Sequence, residues 1–128
     1  MNREALERMG ADELDAYAKA LGVSLRGAKD PAQKRRAIET RRERRASMTV
    51  LGVDVEIPIK RAHDKRVSDL LSGTRTDDDM ERAFRLLVGD EQFAAIEAAC
   101  TEDDGLVDVE AFAYAVAAVL GNADLKNF

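Results

Sequence analysis

The apolar stretches of this chain are short, and each is closed off by capping and glycine punctuation. Asp30 followed by Pro31, Thr76 three residues ahead of Asp79, Asp90 and Asp108 stand where helix N-caps belong, and Gly22, Gly73, Gly89 and Gly121 stand where helices stop. A side-chain oxygen at the N-cap satisfies backbone N–H groups that the first turn leaves orphaned, and proline is pre-organised for the first helical position. Glycine tolerates the conformation in which the chain leaves a helix. Punctuation at these intervals favours a set of short helices. The longest nearly apolar run, AFAYAVAAVLG at 111–121, has about half the ~20 residues a membrane-spanning helix needs.

Between the marks, the apolar spacing assigns the elements. Leu14, Ala18 and Leu21 fall at i, i+4 and i+7 after a break at Gly10, with Asp12 and Glu13 in the first turn, which predicts a helix ending at Gly22. A second helix is expected from Pro31 to about Ala46, with a thin apolar face of Ile38, Ala32 and Ala37. The stretch SMTVLGVDVEIPIK then brings the β-branched Thr49, Val50, Val53, Val55, Ile57 and Ile59, interrupted by Gly52, and reads as a hairpin with Pro58 at a strand end. A lone hairpin is marginal in water, so it must pack on helices. Val67, Leu70 and Leu71, then Met80, Phe84, Leu87 and Val88, then Phe93, Ile96 and Cys100 supply them, followed by the last apolar run. The expected fold is mainly α: a helix–extended loop–helix unit over 1–46, then a small β-hairpin packed on a bundle of about four short helices over 47–128.

The net charge of −5 conceals an asymmetry. Residues 1–66 hold 16 Lys and Arg against 11 acids, and residues 67–128 hold 4 against 14. One half therefore suits an anionic contact and the other a cationic one. One cysteine, Cys100, allows no intrachain disulfide, and one histidine, His63, leaves little for acid/base or metal chemistry. No enzyme activity, cofactor or metal is expected, and the N-terminal MNREALERMG lacks a hydrophobic leader, which points to the cytoplasm.

Two acidic stretches invite a metal reading. TEDDGLVDVEAF matches a calcium-loop pattern at Asp104, Gly105, Val107 and Asp108, but puts Cys100 and Ala111 where the first carboxylate and the bidentate glutamate belong. It reads as an acidic turn before an Asp-capped helix. The run TDDDMER points its three acids in different directions and reads as a helix start. Two surfaces carry the functional expectations. From Ala111 to Leu120 nearly every residue is apolar, so the last helix has hydrophobic surface on opposite sides. Either it sits at the centre of the bundle or it offers one side to a partner or a second copy of the chain, and alanine allows close helix approach in both cases. Phe112, Tyr114, Val116, Val119 and Leu120 are the candidate protein-binding residues. Arg35, Arg36, Arg41, Arg42, Arg44 and Arg45 form either a solvated face or a phosphate-backbone contact.

Two family resemblances sharpen these expectations. ADELDAYAKALGVSLRGAKDPAQKRRAIE, residues 11–39, resembles the helix–extended loop–helix group of SAP, LEM and Rho N-terminal-like motifs through Leu14, Ala18, Leu21, Gly22, Val23, Gly27 and Ile38. That resemblance implies binding to DNA, RNA or protein. TVLGVDVEIPIKR, FRLLVGDEQFAAIEAA and DDGLVDVEAFAYAVAAVLGN, in that order, resemble tail assembly chaperones of long-tailed phages and prophages. The second resemblance implies a non-enzymatic role in keeping a helical tape-measure protein soluble and organising tail assembly, as an oligomer. No membrane partner is expected, given the short apolar runs. A nucleic-acid-binding adaptor that uses the basic N-terminal helices is the alternative.

Overall fold

The computed structural model describes residues 2–122, which are mainly helical with one antiparallel hairpin. The chain divides into two compact units, Met1–Arg44 and Arg45–Phe128. No helix among the described residues is long and apolar enough to cross a membrane.

The first unit holds α1 (Arg3–Arg8), α2 (Ala11–Leu21) and α3 (Pro31–Arg42). Asn2 caps α1 by accepting from the Ala5 N–H at 2.8 Å, and Asp30 caps α3 by accepting from the Gln33 N–H at 2.8 Å with Pro31 in the first position. α2 leaves its helix through Gly22 at φ 71°, a left-handed conformation that glycine adopts without steric cost. Leu6, Met9, Leu14, Ala18 and Ile38 make a small closed core, with Tyr17, Leu21, Val23 and Leu25 packed around it. Ile38 is the single fully buried residue of α3, in keeping with the thin apolar face of that helix.

α3 stops at Arg42, short of the expected end near Ala46. Arg45–Val50 is β1, paired with β2 (Val53–Pro58) in the register Arg45↔Pro58 to Val50↔Val53. Pairing wins because Ala46 and Val50 gain buried places opposite Ile57 and beside Val55, burial that an extension of the charged helix does not offer. The two-residue turn has both Leu51 (φ 51°) and Gly52 (φ 76°) at positive φ, the geometry whose twist matches that of the strands.

Beyond the hairpin come α4 (Ile59–Ala62), α5 (Lys65–Leu71), α6 (Asp77–Val88), α7 (Asp90–Cys100) and α8 (Val109–Leu120). The single turn α4 was absent from the sequence reading. Thr76 and Asp79 exchange hydrogen bonds with each other's backbone in a capping box, at 3.1 and 3.2 Å. Asp90 is the first residue of α7 rather than its cap. Gly89 takes that place at φ 82° and ψ 160°, a region nearly restricted to glycine. A Cβ on Gly89 would lie 2.8 Å from Arg61 Nη1, which itself donates to the Leu87 carbonyl at 3.2 Å at the end of α6. The core joins Val55 and Ile57 of β2 to Phe84, Val88, Ile96 and Val119 of the helices. Against it the rings of Phe84, Phe93 and Phe112 meet pairwise at 5.8–5.9 Å between centroids, two of the pairs edge-to-face, with Phe84 fully buried and Phe112 half-buried. The free edge of the hairpin is covered by a side chain: Gln92 accepts from the Glu56 N–H and donates to the Glu56 carbonyl, each at 2.8 Å.

Candidate functional site

Helix α8 divides its apolar residues between two directions. Successive helical residues are rotated by about 100°, so Ala115 and Val119 fall on one side and Val109, Ala113 and Ala117 on the other. The first side is core: Ala115 and Val119 are fully enclosed, and Val116 beside them is 7% exposed. The second faces solvent, with Val109 75% exposed and Tyr114 62% exposed on the adjoining face. Leu106 and Val107, in the loop that leads into the helix, are also exposed.

Of the five residues expected to bind protein, Tyr114 alone is largely exposed. Val116 and Val119 are in the core, Phe112 is half-buried against Phe84 and Phe93, and Leu120 is half-buried. Sequence reasoning missed Leu106, Val107 and Val109. Their signal was present, since three large aliphatics stand among carboxylates with no helical period to bury them.

Between α6 and α8 runs a groove of about 280 Å³ lined by Asp77, Met80 and Glu81 on one side and by Val109, Phe112, Ala113, Val116 and Ala117 on the other. Its α8 wall follows the i, i+3, i+4, i+7, i+8 spacing with which one helix meets another. Among the described residues, Asp77 and Glu81 are its only charged lining groups.

The acidic stretches direct their carboxylates at their own backbone. Asp108 accepts from the N–H groups of Glu110 and Ala111 at 2.9 and 3.2 Å, and Asp104 accepts from Leu106 at 3.0 Å. Among the described residues no group of three or more His, Cys, Asp and Glu is placed to hold a metal ion. Burial pushes the Cys100 thiol above its ordinary value, and the carboxylates of Asp108 and Glu97 add to the effect. At neutral pH it is a buried thiol and a weak nucleophile.

The basic residues divide too. Arg35 donates to the carbonyls of Leu6 and Met9, both at 3.2 Å, and so ties α3 to the end of α1. Lys34 pairs with Asp15 at 2.7 Å. Arg45 lies in β1, 3.8 Å from Glu56, and Arg44 follows the end of α3, so neither extends the helical basic face. Arg36, Arg41 and Arg42 remain on α3 without a carboxylate partner among the described residues. Arg35→Ala is therefore expected to cost the first unit about 1.5–3 kcal/mol, the range for hydrogen bonds from a charged donor. Arg36→Ala stays within about 0.5 kcal/mol. Amide hydrogen exchange at Leu14 and Ala18, both buried in that unit, reads the difference.

Comparison with protein-family models, with curated proteins and with solved structures finds no match to the chain.

Proposed function

We propose that this is a non-enzymatic assembly chaperone of the phage-tail type, which holds the apolar stripe of a long helical client on the exposed side of α8 and the loop before it. The observation that carries the reading is the exposure of Leu106, Val107, Val109 and Tyr114 beside a core that encloses Ala115 and Val119 of the same helix. Large apolar side chains gathered on one stretch, rimmed by charge, mark a place where another polypeptide binds. Glu102, Asp103, Asp104 and Glu110 stand exposed around them and keep such a surface soluble between clients. The resemblance of residues 47–128 to tail assembly chaperones agrees with this role and supplies the client class, a tape-measure-type protein with apolar heptads. Work of this kind needs surface and charge, with no cofactor.

Co-expression with a tape-measure-type heptad protein tests the reading. The native chain is expected to raise the client's soluble fraction severalfold. Val109→Asp and Tyr114→Asp are expected to abolish that gain, and the double substitution Arg41→Ala and Arg42→Ala to leave it intact. Equal client solubility with and without the chain contradicts the reading.

Arg36, Arg41 and Arg42 favour a second reading, a nucleic-acid adaptor, because three cations on one helix without carboxylate partners among the described residues suit a phosphate backbone. Titration with duplex and single-stranded DNA at two salt concentrations decides it. Salt-steep binding that disappears with Arg41 and Arg42 supports the adaptor, and no binding at low salt removes it.

A further inference from the structure

The exposed side of α8 has a chemical preference that its apolar character alone does not express. The α6–α8 groove has a floor of small side chains, Ala113 and Ala117, between the larger Val109 and Phe112 on the same helix and Met80 across from them. Alanine lets a neighbouring helix approach at the short end of the usual 8–10 Å interaxial range, and Val109 and Met80 then stand as ridges on either side of it. Residues 109–117 cover about 12 Å of helix at 1.5 Å per residue, enough for two turns of a partner to lie along them. Both charged groups at the rim, Asp77 and Glu81, are carboxylates, one turn apart on α6, and among the described residues no Lys or Arg lines the groove.

We propose that this groove binds a cationic amphipathic helix of a partner protein, whose apolar stripe lies over Ala113 and Ala117 and whose Lys or Arg side chains meet Asp77 and Glu81. The proposal rests on the reading that the second unit binds a helical polypeptide, and adds where that helix lies and what charge it carries. A second copy of the same face is a poor occupant. From Val109 to Leu120 the one charged residue is Glu110, so a symmetric pairing of this groove would bring its carboxylates toward carboxylates. A purely apolar helix fills the floor but leaves both rim carboxylates without a partner. An acidic amphipathic helix is repelled by them. The occupant that answers every feature of the groove is apolar on one face and basic beside it, a helix-in-groove complex held in register by its cations.

The probes are two synthetic amphipathic helices of about 15 residues with the same leucine stripe, one flanked by lysines and the other by glutamates. Each is fluorescently labelled and titrated against the full chain by anisotropy. The lysine helix is expected to bind at least about tenfold more tightly than the glutamate helix at low salt and to lose most of that margin in high salt. Ala113→Arg places a guanidinium on the exposed floor and is expected to weaken the lysine helix at least about tenfold, with the circular-dichroism melt unchanged. Glu81→Lys is expected to narrow or reverse the preference between the two probes. Equal binding of both helices, or lysine-helix binding indifferent to Ala113→Arg and Glu81→Lys, overturns the proposal, and so does no binding of the lysine helix. If client solubility in the co-expression assay still depends on Val109 and Tyr114 in any of those cases, the chaperone reading stands and the cationic groove alone is wrong.

Discussion

Val119→Asp is expected to unfold the unit that begins at Arg45, whereas Tyr114→Asp leaves it folded. The two residues are five apart on one helix and differ in what surrounds them: Val119 is fully enclosed in the core, and Tyr114 is 62% exposed. An aspartate at position 119 would carry its charge into apolar surroundings where none of the buried residues described is polar or charged. It would then ionise without a partner or bind a proton, at a cost of about 3–5 kcal/mol or more. A domain of this size has about 5–15 kcal/mol to lose, so a loss of that size leaves the unit little or no margin when it starts near the low end of that range. Tyr114→Asp exchanges one solvent-facing side chain for another and is expected to shift stability by less than about 1 kcal/mol. Because the chain has two units, a global melt mixes two transitions. The Cys100 thiol, 2% exposed in the second unit, gives a specific probe. Its reaction with an aromatic disulfide reagent should be slow in the native chain and in Tyr114→Asp, and fast in Val119→Asp. Slow reaction in both variants would show that Val119 is not in the core.

The second large effect lies at the ring cluster. Phe84 is fully buried and meets Phe93 at 5.9 Å and Phe112 at 5.8 Å, so it links α6 to both α7 and α8. Phe84→Ala removes the burial of a whole ring, leaves a cavity, and breaks two aromatic pairs worth about 0.5–1.5 kcal/mol each. The expected loss is about 3–5 kcal/mol, read as the shift in urea midpoint of Cys100 labelling. Phe84→Leu, which keeps most of the volume, is expected to recover more than half of it. A loss under about 1 kcal/mol for Phe84→Ala would mean that α6, α7 and α8 do not share one core. Loss of this cluster also removes the support of Phe112, one wall of the α6–α8 groove. Client binding should weaken in Phe84→Ala even under conditions where the chain remains folded.

Local chemistry was readable from the residues wherever its cause was local. Asp30 with Pro31, Thr76 with Asp79, and Asp108 cap helices as their spacing indicates, since each interaction spans two or three residues. The run of β-branched residues around Gly52 forms the hairpin for the same reason. What escaped reading depends on distant partners. α3 ends early because residues 45–50 pair with residues 53–58, and helix propensity has no term for that competition. Asp90 gave way to Gly89 as the boundary of α7 where Arg61 packs closely beside that glycine. Arg35 looked like one basic residue among many, yet its acceptors lie 26 and 29 residues earlier in the chain.

The candidate surface was legible to the helix and not to the residue, for a related reason. When nearly every position of a helix is apolar, periodicity loses its contrast and cannot say which side the core takes. Contact with the Phe84 cluster claims Val119 and Val116, and leaves Val109, Ala113 and Ala117 outside. Ala113 and Ala117, two among the many alanines of this helix, become the floor of a groove. Asp77, assigned to the macrodipole of α6, also stands at the rim of that groove.

Amide chemical-shift mapping of the isotopically labelled full chain, during titration with a tape-measure-type heptad segment, addresses the central claim most directly. Perturbations are expected to concentrate at Val109, Ala113, Tyr114 and Ala117 and across the groove at Met80 and Glu81, with the amides of α3 unmoved. Shifts confined to Arg36, Arg41 and Arg42, or a spectrum unchanged at saturating client, would contradict it.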